Sequence, residues 1–202
     1  MDTHRLESLT DNVFAVAMTL LVFDLKLSTA TTHEALGSFV FEQWPHFIGY
    51  VISFVVIALI WLQHHWVFKH LERVDSAVFV ANVALMLLVV FLPFATSTLA
   101  FYVVQHRDQR SAAAFFGLVL SAATAALGWL WWWASRHETL LKAMTSARTV
   151  QLLNRRLLQT PGLYLAATVL SVVNAAVGVS AYAAIDLSLL WLLRPGLLAD
   201  GE

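Results

Sequence analysis

Two carboxylates that flank an uncharged segment near the N-terminus are the residues of this chain best placed to do chemistry. Asp11 and Asp24 enclose the sequence NVFAVAMTLLVF, which holds no charged residue. In an α-helix, thirteen rises of 1.5 Å would separate the two acids by about 20 Å, whereas the hydrocarbon core of a bilayer is about 30 Å thick. If the helix spans a bilayer, at least one acid lies at or inside the apolar boundary. Ionisable groups there are costly and usually face a protein interior or a water path, so the segment is predicted to do more than anchor the chain.

One face of this segment combines a polar end, a central hydroxyl and bulky apolar side chains. On a helical wheel of 100° per residue, the residues within about 40–60° of one line are Asn12, Val16, Thr19, Leu20 and Phe23. Such a stripe is most often a seam between helices. The alternative is a pore lining, in which apolar rings gate by dewetting and hydroxyls replace part of an ion's hydration shell. Periodicity alone leaves both interpretations open.

The charged residues of the segment lie away from this stripe. Asp11 is about 220° from Val16 on the same wheel. Arg5 and Asp11 are six residues apart, so an ideal helix does not place them side by side. Each is expected to need partners from other helices, although an interfacial, snorkelling role remains the alternative for Arg5.

Further polar residues occur inside other apolar segments. His64 and His65 are adjacent, so their side chains point about 100° apart and a shared metal ion is not favoured. Structural hydrogen bonding is the preferred interpretation for both. Asn82 is a polar group that must find a partner within the membrane, and Asn174 and Asp186 are weaker candidates that could serve only as helix caps. No nucleophile motif, phosphate-binding loop or metal-ligand pattern is recognised, so no enzyme activity and no cofactor are predicted.

The composition indicates that these residues are positioned by the helices of a polytopic α-helical membrane protein. Of the 202 residues, 59% are hydrophobic and 12% are charged, against about 25% charged residues in ordinary soluble domains. The absence of cysteine excludes disulfides and thiol chemistry. The net charge of −1 gives no indication of nucleic-acid binding.

Six transmembrane spans are predicted within one domain that covers residues 1–202. The first four run approximately over Leu9–Leu27, Pro45–Phe68, Asp75–Val104 and Ser111–Ala134. The last two share the stretch Pro161–Leu193, with a turn in Asn174–Ser180 around Gly178; one long helix is the alternative. Pro45 suits a first helical position, and Pro93 is expected to kink the third span.

The distribution of basic residues predicts the orientation. With the N-terminus inside, nine Lys and Arg residues fall on the cytoplasmic side and three fall outside, as the positive-inside rule requires. This count needs an even number of spans and predicts that both termini are cytoplasmic. A cleaved signal peptide is not favoured, because acidic residues crowd the region that should be positively charged.

Several spaced motifs resemble one known family. Arg5-x-x-x-Leu9-Thr10-Asp11 resembles the Arg-x-x-x-Phe-Ser-Asp signature of the transmembrane protein 175 family of potassium channels, and the pattern continues through Lys26. The sequences Trp61-x-x-His64-His65, Asn82 and Phe91-Leu92-Pro93-Phe94 also fit, in the same order. The resemblance covers roughly the first half of the chain, whereas the second half fits only in helix count and hydropathy.

The resemblance implies a homotetramer of six-helix subunits around a pore lined by helix 1. Carried over residue by residue, the apolar rings fall on Val16, Leu20 and Phe23, with a threonine layer at Thr19. Arg5 and Asp11 are implied to hold helix 1 against helices 2 and 3 through His64 or His65 and Asn82. The chain departs from the family at Leu9-Thr10, at a small first ring residue and at an aromatic last one, and these changes could move the narrowest point outward.

The predicted function is therefore a leak-type potassium channel whose partners are potassium ions, the lipid bilayer and copies of itself. A proton- or cation-coupled secondary transporter would instead use Asp11, Asp24 and the histidines as a relay. Such carriers often show inverted repeats and broken helices, and neither is evident in the sequence. A non-conducting scaffold, in which the stripe is an oligomer seam, is the third alternative.

Overall fold

The computed structural model describes residues 2–24 and 44–192, which form six α-helices. The helices are α1 Thr3–Leu20, α2 Trp44–Lys69, α3 Ser76–Val104, α4 Gln109–Ser135, α5 Ala147–Val173 and α6 Ala175–Leu192. A 3-10 turn over Leu21–Asp24 extends α1, and a second over Glu138–Leu140 precedes α5. The predicted all-helical, six-helix fold is confirmed. The end of the first predicted span and the loop that follows lie outside the described residues.

Five of these helices are long and apolar enough to cross a membrane. The apolar part of α6, Ala175–Leu190, is shorter, and its full 18 residues rise by about 27 Å, close to the thickness of a bilayer core. The bounds of α2, α3 and α4 agree with the predicted spans to within two residues, because each span ends at a clear change in polarity.

Helix α4 is the centre of the bundle. It packs extensively against α3 on one side and α5 on the other, while α6 packs mainly on α5. Helix α1 packs against α2 and α3. The buried core runs continuously through these contacts, from Phe14 in α1 to Trp131 in α4 and Tyr182 in α6. Among the described residues, α1 is therefore held from one side, by α2 and α3.

The fifth helix corrects one prediction. It was expected to begin at Pro161, but it begins at Ala147, where the Ser146 hydroxyl accepts a hydrogen bond from the Thr149 N–H at 3.1 Å. Pro161 therefore lies inside the helix. Within a membrane, proline is tolerated in a helix where neighbouring groups satisfy the freed backbone carbonyl. The polar sequence before Pro161 masked this longer helix.

Helices α4 and α5 approach closely at the carbonyl that Pro161 leaves without an intrahelical donor. Proline has no N–H, so the Leu157 carbonyl, four residues earlier, loses its helical hydrogen bond. Gly128 of α4 lies against this carbonyl: a Cβ atom there would stand 2.6 Å from the Leu157 oxygen. Only glycine lets the two backbones come this close, as small residues do at helix contacts in membranes.

We therefore expect Gly128→Ala to lower the free energy of unfolding by about 1–3 kcal/mol, because an added methyl group must push α4 and α5 apart. Thermal unfolding in detergent measures this loss. Gly162→Ala is the matched control, since a Cβ atom at Gly162 meets nothing within 4 Å. Equal stability of the two variants would contradict the close contact.

The corner between α5 and α6 lies at Asn174, at the start of the predicted turn. The Asn174 side-chain oxygen accepts hydrogen bonds from the N–H groups of Ala176 and Val177 at 3.0 and 3.3 Å, so this residue caps α6. Gly178, expected in the turn, lies inside α6 and packs against Ser171. Asp186 is not a cap: it is buried within α6, where the Tyr164 hydroxyl donates to its carboxylate at 2.5 Å.

A carboxylate at the start of α3 joins α3 to the end of α4. Asp75 accepts hydrogen bonds from the Val78 N–H at 2.8 Å and from the Trp133 indole at 2.9 Å. Burial opposes ionisation of this carboxyl, but the hydrogen bonds outweigh it and lower the pKa of Asp75 from 3.8. The ring of His137 stacks on Trp133 with 4.4 Å between centroids. Asp75 is thus both the N-cap of α3 and an anchor for α4.

Replacing this carboxylate by the neutral cap in Asp75→Asn tests its charge. Because the folded-state pKa is depressed, the ionised form stabilises the protein above pH 3.8 and this contribution is lost as pH falls through the folded-state pKa. We expect the native protein to exceed the variant by about 0.3–1 kcal/mol at neutral pH, and the difference to shrink as the pH falls below 3.8 and through the folded-state pKa. Thermal unfolding across a series of acidic pH values measures it.

Asp108→Asn is the control for this comparison. Asp108 precedes α4 but makes no side-chain hydrogen bond to a backbone N–H of that helix. Asparagine keeps an acceptor for the Ser111 hydroxyl, which donates to Asp108 at 2.7 Å, so this replacement is expected to cost less stability at neutral pH than Asp75→Asn. A loss that is equal in both variants would show that the Asp75 contacts do not stabilise the ionised carboxylate.

Candidate functional site

Helix α1 has two faces that differ in their surroundings. One face is buried against α2 and α3, through Leu6, Thr10, Phe14, Ala17 and Leu21. The spacing of these residues, every three or four positions, is that of a packed helix face. The opposite face of α1 has no covering element among the residues that the structure describes. The polar and apolar candidates from the sequence divide between these two faces.

The buried face carries a chain of hydrogen bonds that joins three helices. The Asn82 side-chain amide donates to the Thr10 hydroxyl at 2.7 Å, and the Asn82 side-chain oxygen lies 2.8 Å from Nε2 of His64. Thr10 donates in turn to the Leu6 carbonyl at 2.8 Å. Thr10, His64 and Asn82 are each fully buried. The network ties α1 to α3 through Asn82 and ties α3 to α2 through His64.

Asp11 lies at the margin of this network and bonds to a different partner. Its Oδ1 accepts a hydrogen bond from the indole Nε1 of Trp61 at 2.9 Å. The contact joins α1 to α2 one turn away from His64. Asp11 is partly buried, so the indole supplies a donor to a carboxylate that water reaches only in part.

The two remaining polar candidates lie nearer the surface. Nδ1 of His65 is 3.2 Å from the Glu7 carboxylate, and the two side chains are 46% and 22% exposed. At that exposure an ion pair contributes little to stability. Arg5 is exposed and has no hydrogen-bond partner or ion pair within the described part of the chain. The structural role expected for Arg5 therefore stays a prediction that a single chain does not test.

The other face of α1 is an exposed apolar stripe. Val16, Leu20 and Phe23 are 53%, 41% and 71% exposed. Thr19 is exposed between them, and its hydroxyl donates to the Val16 carbonyl at 2.8 Å. Because its proton is engaged by the helix, the lone pairs of the Thr19 oxygen remain available to a ligand. We call Val16, Thr19, Leu20 and Phe23 the exposed stripe.

The end of the exposed stripe is wound more tightly than the α-helix on which the helical wheel of 100° per residue was based. Residues Leu21–Asp24 form a 3-10 turn, in which side chains three residues apart eclipse and each residue rises by about 2 Å. Phe23 therefore lies close to the line of Leu20, about 6 Å further along the axis. The side chain of Asp24 lies outside the part that the structure describes, and so does its predicted place in a relay.

Comparison of the sequence with a family model and with known proteins shows which proteins this chain resembles. A family model described as endosomal/lysosomal potassium channel TMEM175 matches residues 5–93. A potassium channel of Streptomyces collinus is 38% identical over 135 residues, which are 67% of this chain and 66%, just under two thirds, of that protein. A potassium channel of Chamaesiphon minutus is 34% identical over 175 residues, 86% of each chain.

The chain belongs to the TMEM175 family.

The likeness to TMEM175 proteins extends over the whole fold. The crystal structure of a lysosomal potassium-selective channel TMEM175 homolog from Chamaesiphon minutus superimposes with a TM-score of 0.84 at 31% identity. It covers 95% of this chain and 98% of that one. Bovine TMEM175, named as an endosomal/lysosomal proton channel, is 29% identical over 117 residues, which are 24% of its length. The second half of the chain, which matched TMEM175 only in helix count and hydropathy, therefore shares the fold as well.

Three residues at the TMEM175-like motifs take part in contacts that the sequence reasoning did not assign to them. Thr10 completes the buried network, Trp61 binds Asp11, and Glu7 lies beside His65. A signal existed for Thr10, because it replaces the serine of the TMEM175 signature and keeps its hydroxyl. Trp61 opens the Trp61-x-x-His64-His65 motif, but no contact was predicted for its side chain. Nothing in the spacing of Glu7 pointed to a histidine on another helix.

The described residues of the site can bind and orient a ligand, but they do not form a metal site. Among residues 2–24 and 44–192, no group of three or more His, Asp or Glu side chains is arranged to hold a metal ion. His64 faces Asn82 while the adjacent His65 faces Glu7, so the two rings serve different contacts. The chemistry available on the exposed stripe is that of hydroxyl oxygen and apolar surface.

Proposed function

We propose that this protein is a leak-type potassium channel, in which copies of α1 surround a pore with the exposed stripe as its lining. The observation that carries the proposal is the division of α1 into a buried, hydrogen-bonded face and an exposed face of Val16, Leu20 and Phe23 with one hydroxyl, Thr19. Membership of the TMEM175 family and the potassium channels among its bacterial relatives support it.

A single chain cannot enclose a pore with one face of one helix. Several copies around a closed symmetry axis would place equal side chains in rings. We propose a homotetramer in the plasma membrane with both termini in the cytoplasm, so that three apolar rings follow one another along the axis. Between Val16 and Leu20 the helical rise is about 6 Å, and Thr19 lies within that interval.

Selectivity would follow from hydration. An apolar ring offers an ion no oxygen, so an ion crosses it only with its hydration water or after losing part of it. Potassium is the larger ion and holds its water less tightly than sodium, so a narrow apolar ring penalises sodium more. The Thr19 oxygens, whose protons are bonded to the Val16 carbonyls, would replace part of the lost water for potassium.

In this proposal, Arg5, Asp11, His64, His65 and Asn82 keep α1 in position and do not touch the permeating ion. The buried hydrogen bonds from His64 to Asn82 and from Asn82 to Thr10 support this role, because they contact the face of α1 that lies away from the exposed stripe. Asp11 bonds to Trp61 on α2. For Arg5 the proposal requires a partner in a neighbouring copy.

Flux from liposomes tests the function. With a potassium gradient across the bilayer, the purified protein is expected to give a flux that follows the electrical gradient and saturates only at high concentration. A coupled transporter would instead need a second ion, and a scaffold would give no flux. A proton gradient alone forms the other arm, because mammalian relatives are named proton channels. Proton flux without potassium flux would overturn the proposal.

A further inference from the structure

A crevice opens into the side of the bundle between α2, α3, α4 and α6. Its volume is about 160 Å³. Its walls are mainly apolar, with Ile48, Ile52, Leu99, Val103, Phe116 and Val179 among them. Ile48 and Val103 are 47% and 36% exposed, so the crevice is open at apolar residues near the start of α2 and the end of α3. Both α2 and α3 are long and apolar enough to cross a membrane, so acyl chains would surround the apolar residues at this opening.

The hydroxyl groups in the wall are already hydrogen-bonded to the protein. Ser53 and Thr96 are 2.6 Å apart, and Thr96 donates to the Leu92 carbonyl at 3.0 Å, so Ser53 is the donor of the pair. The Tyr182 hydroxyl donates to the Ala113 carbonyl at 3.1 Å. A buried water needs two to four polar partners, and these walls leave few for it. Among the residues that the structure describes, no charged side chain lines the crevice, so these walls offer no contact that would recognise an ion or a headgroup.

The space is kept open by a glycine that the packing does not require. A Cβ atom at Gly49 would meet Ala100 Cβ and Thr96 Cγ2 at 3.8 Å, an ordinary contact distance. This differs from Gly128, where a Cβ atom would collide with backbone. An engineered apolar cavity of about 150 Å³ stays dry and binds benzene, so a volume of this size accepts a short hydrocarbon segment.

We propose that this crevice is a binding site for the acyl chain of a bilayer lipid. The membrane supplies hydrocarbon at its mouth, the wall is apolar with its hydroxyls satisfied, and Gly49 leaves room for the chain. An inserted chain would pack against α2, α3, α4 and α6 at once. None of the residues that line the crevice belongs to the exposed stripe. Its occupancy can therefore be measured without any flux.

Photolabelling tests the site. The full chain is placed in liposomes of phosphatidylcholine that carries a diazirine at the end of one acyl chain, and labelled residues are identified by mass spectrometry after irradiation. We expect labels on Ile52 and Leu99 in the crevice to exceed those on Leu87, which is 73% exposed on α3. Gly49→Leu should reduce the crevice labels about tenfold, because a leucine side chain fills space that a close-packed interior cannot share.

Gly162→Leu is the matched control, since it adds the same side chain where a Cβ atom meets nothing within 4 Å; its crevice labels should stay unchanged. Where Gly49→Leu does not fold, Gly49→Ala is expected to fold and to lower the labels about twofold. Labels at Ile52 and Leu99 that match Leu87, or that persist in a folded Gly49→Leu protein, would overturn the proposal. So would cross-links from these residues to a second copy of the chain.

Discussion

Shortening Leu20 or Phe23 to alanine is expected to raise potassium flux severalfold and to move the reversal potential toward that of a non-selective cation channel. In the proposed tetramer each truncation would widen an apolar ring on the exposed stripe, so sodium would pass with more of its water. A loss of about 1.4 kcal/mol in discrimination is a tenfold fall in the permeability ratio. Thr19→Ala should lower selectivity with less effect on rate, because it removes an oxygen without removing the apolar constriction. Reversal potentials under mixed potassium and sodium measure all three variants.

Leu87→Ala is the matched control for this experiment. Leu87 is 73% exposed on α3, so the same truncation is made on an apolar surface away from α1. Its permeability ratio is expected to equal that of the parent. If the three α1 variants keep the parent ratio while a substitution on another helix abolishes it, the exposed stripe is only a seam between helices.

Asn82→Ala is expected to destabilise the protein by about 2–4 kcal/mol, the second large effect. The substitution leaves the buried Thr10 hydroxyl without its donor and the buried Nε2–H of His64 without its acceptor. Each buried polar group left unpaired costs about 1–3 kcal/mol. The free energy of unfolding in detergent measures the loss, and the yield of assembled protein should fall with it.

The control is Asn12→Ala, an identical substitution on the exposed side of α1. A surface change of this kind is expected to stay within about 0.5 kcal/mol. A cycle that combines Asn82→Ala with Thr10→Val should be non-additive, because the two residues share one hydrogen bond. Independent, additive effects would mean that the network does not hold α1 to α3.

The sequence predicted the six helices well because most of their ends coincide with a change in polarity. It failed at the start of α1, which begins at Thr3 rather than Leu9, and at α5, where the polar stretch before Pro161 belongs to the same helix as the apolar stretch after it. Hydropathy identifies the residues that lie in the apolar layer. It does not show that a helix continues beyond that layer. The capping residue Ser146 was the available signal, since serine three residues before a bonded N–H is a common helix start.

For the candidate site too, the sequence predicts one part, the stripe on α1, but not the hydrogen-bond partners. The stripe of Val16, Thr19, Leu20 and Phe23 follows from periodicity, since one face of a helix can be read from the spacing of its residues. The partners of Asp11 and Asn82 could not be read, because they depend on how α1, α2 and α3 rotate about their own axes. Trp61 and Thr10 were within the quoted motifs, but only packing shows which way they point.

Helix α1 meets its neighbours with one face and turns the other away from them. Substitutions at Val16, Leu20 or Phe23 touch no residue of the hydrogen-bonded network behind them, so folding places little restraint on what those positions become. If the exposed stripe lines the pore as proposed, selection for a different permeant ion would act on one side of a single helix while selection for a stable subunit acts on the other. A family built on this plan could then diverge in what it conducts and still inherit one fold.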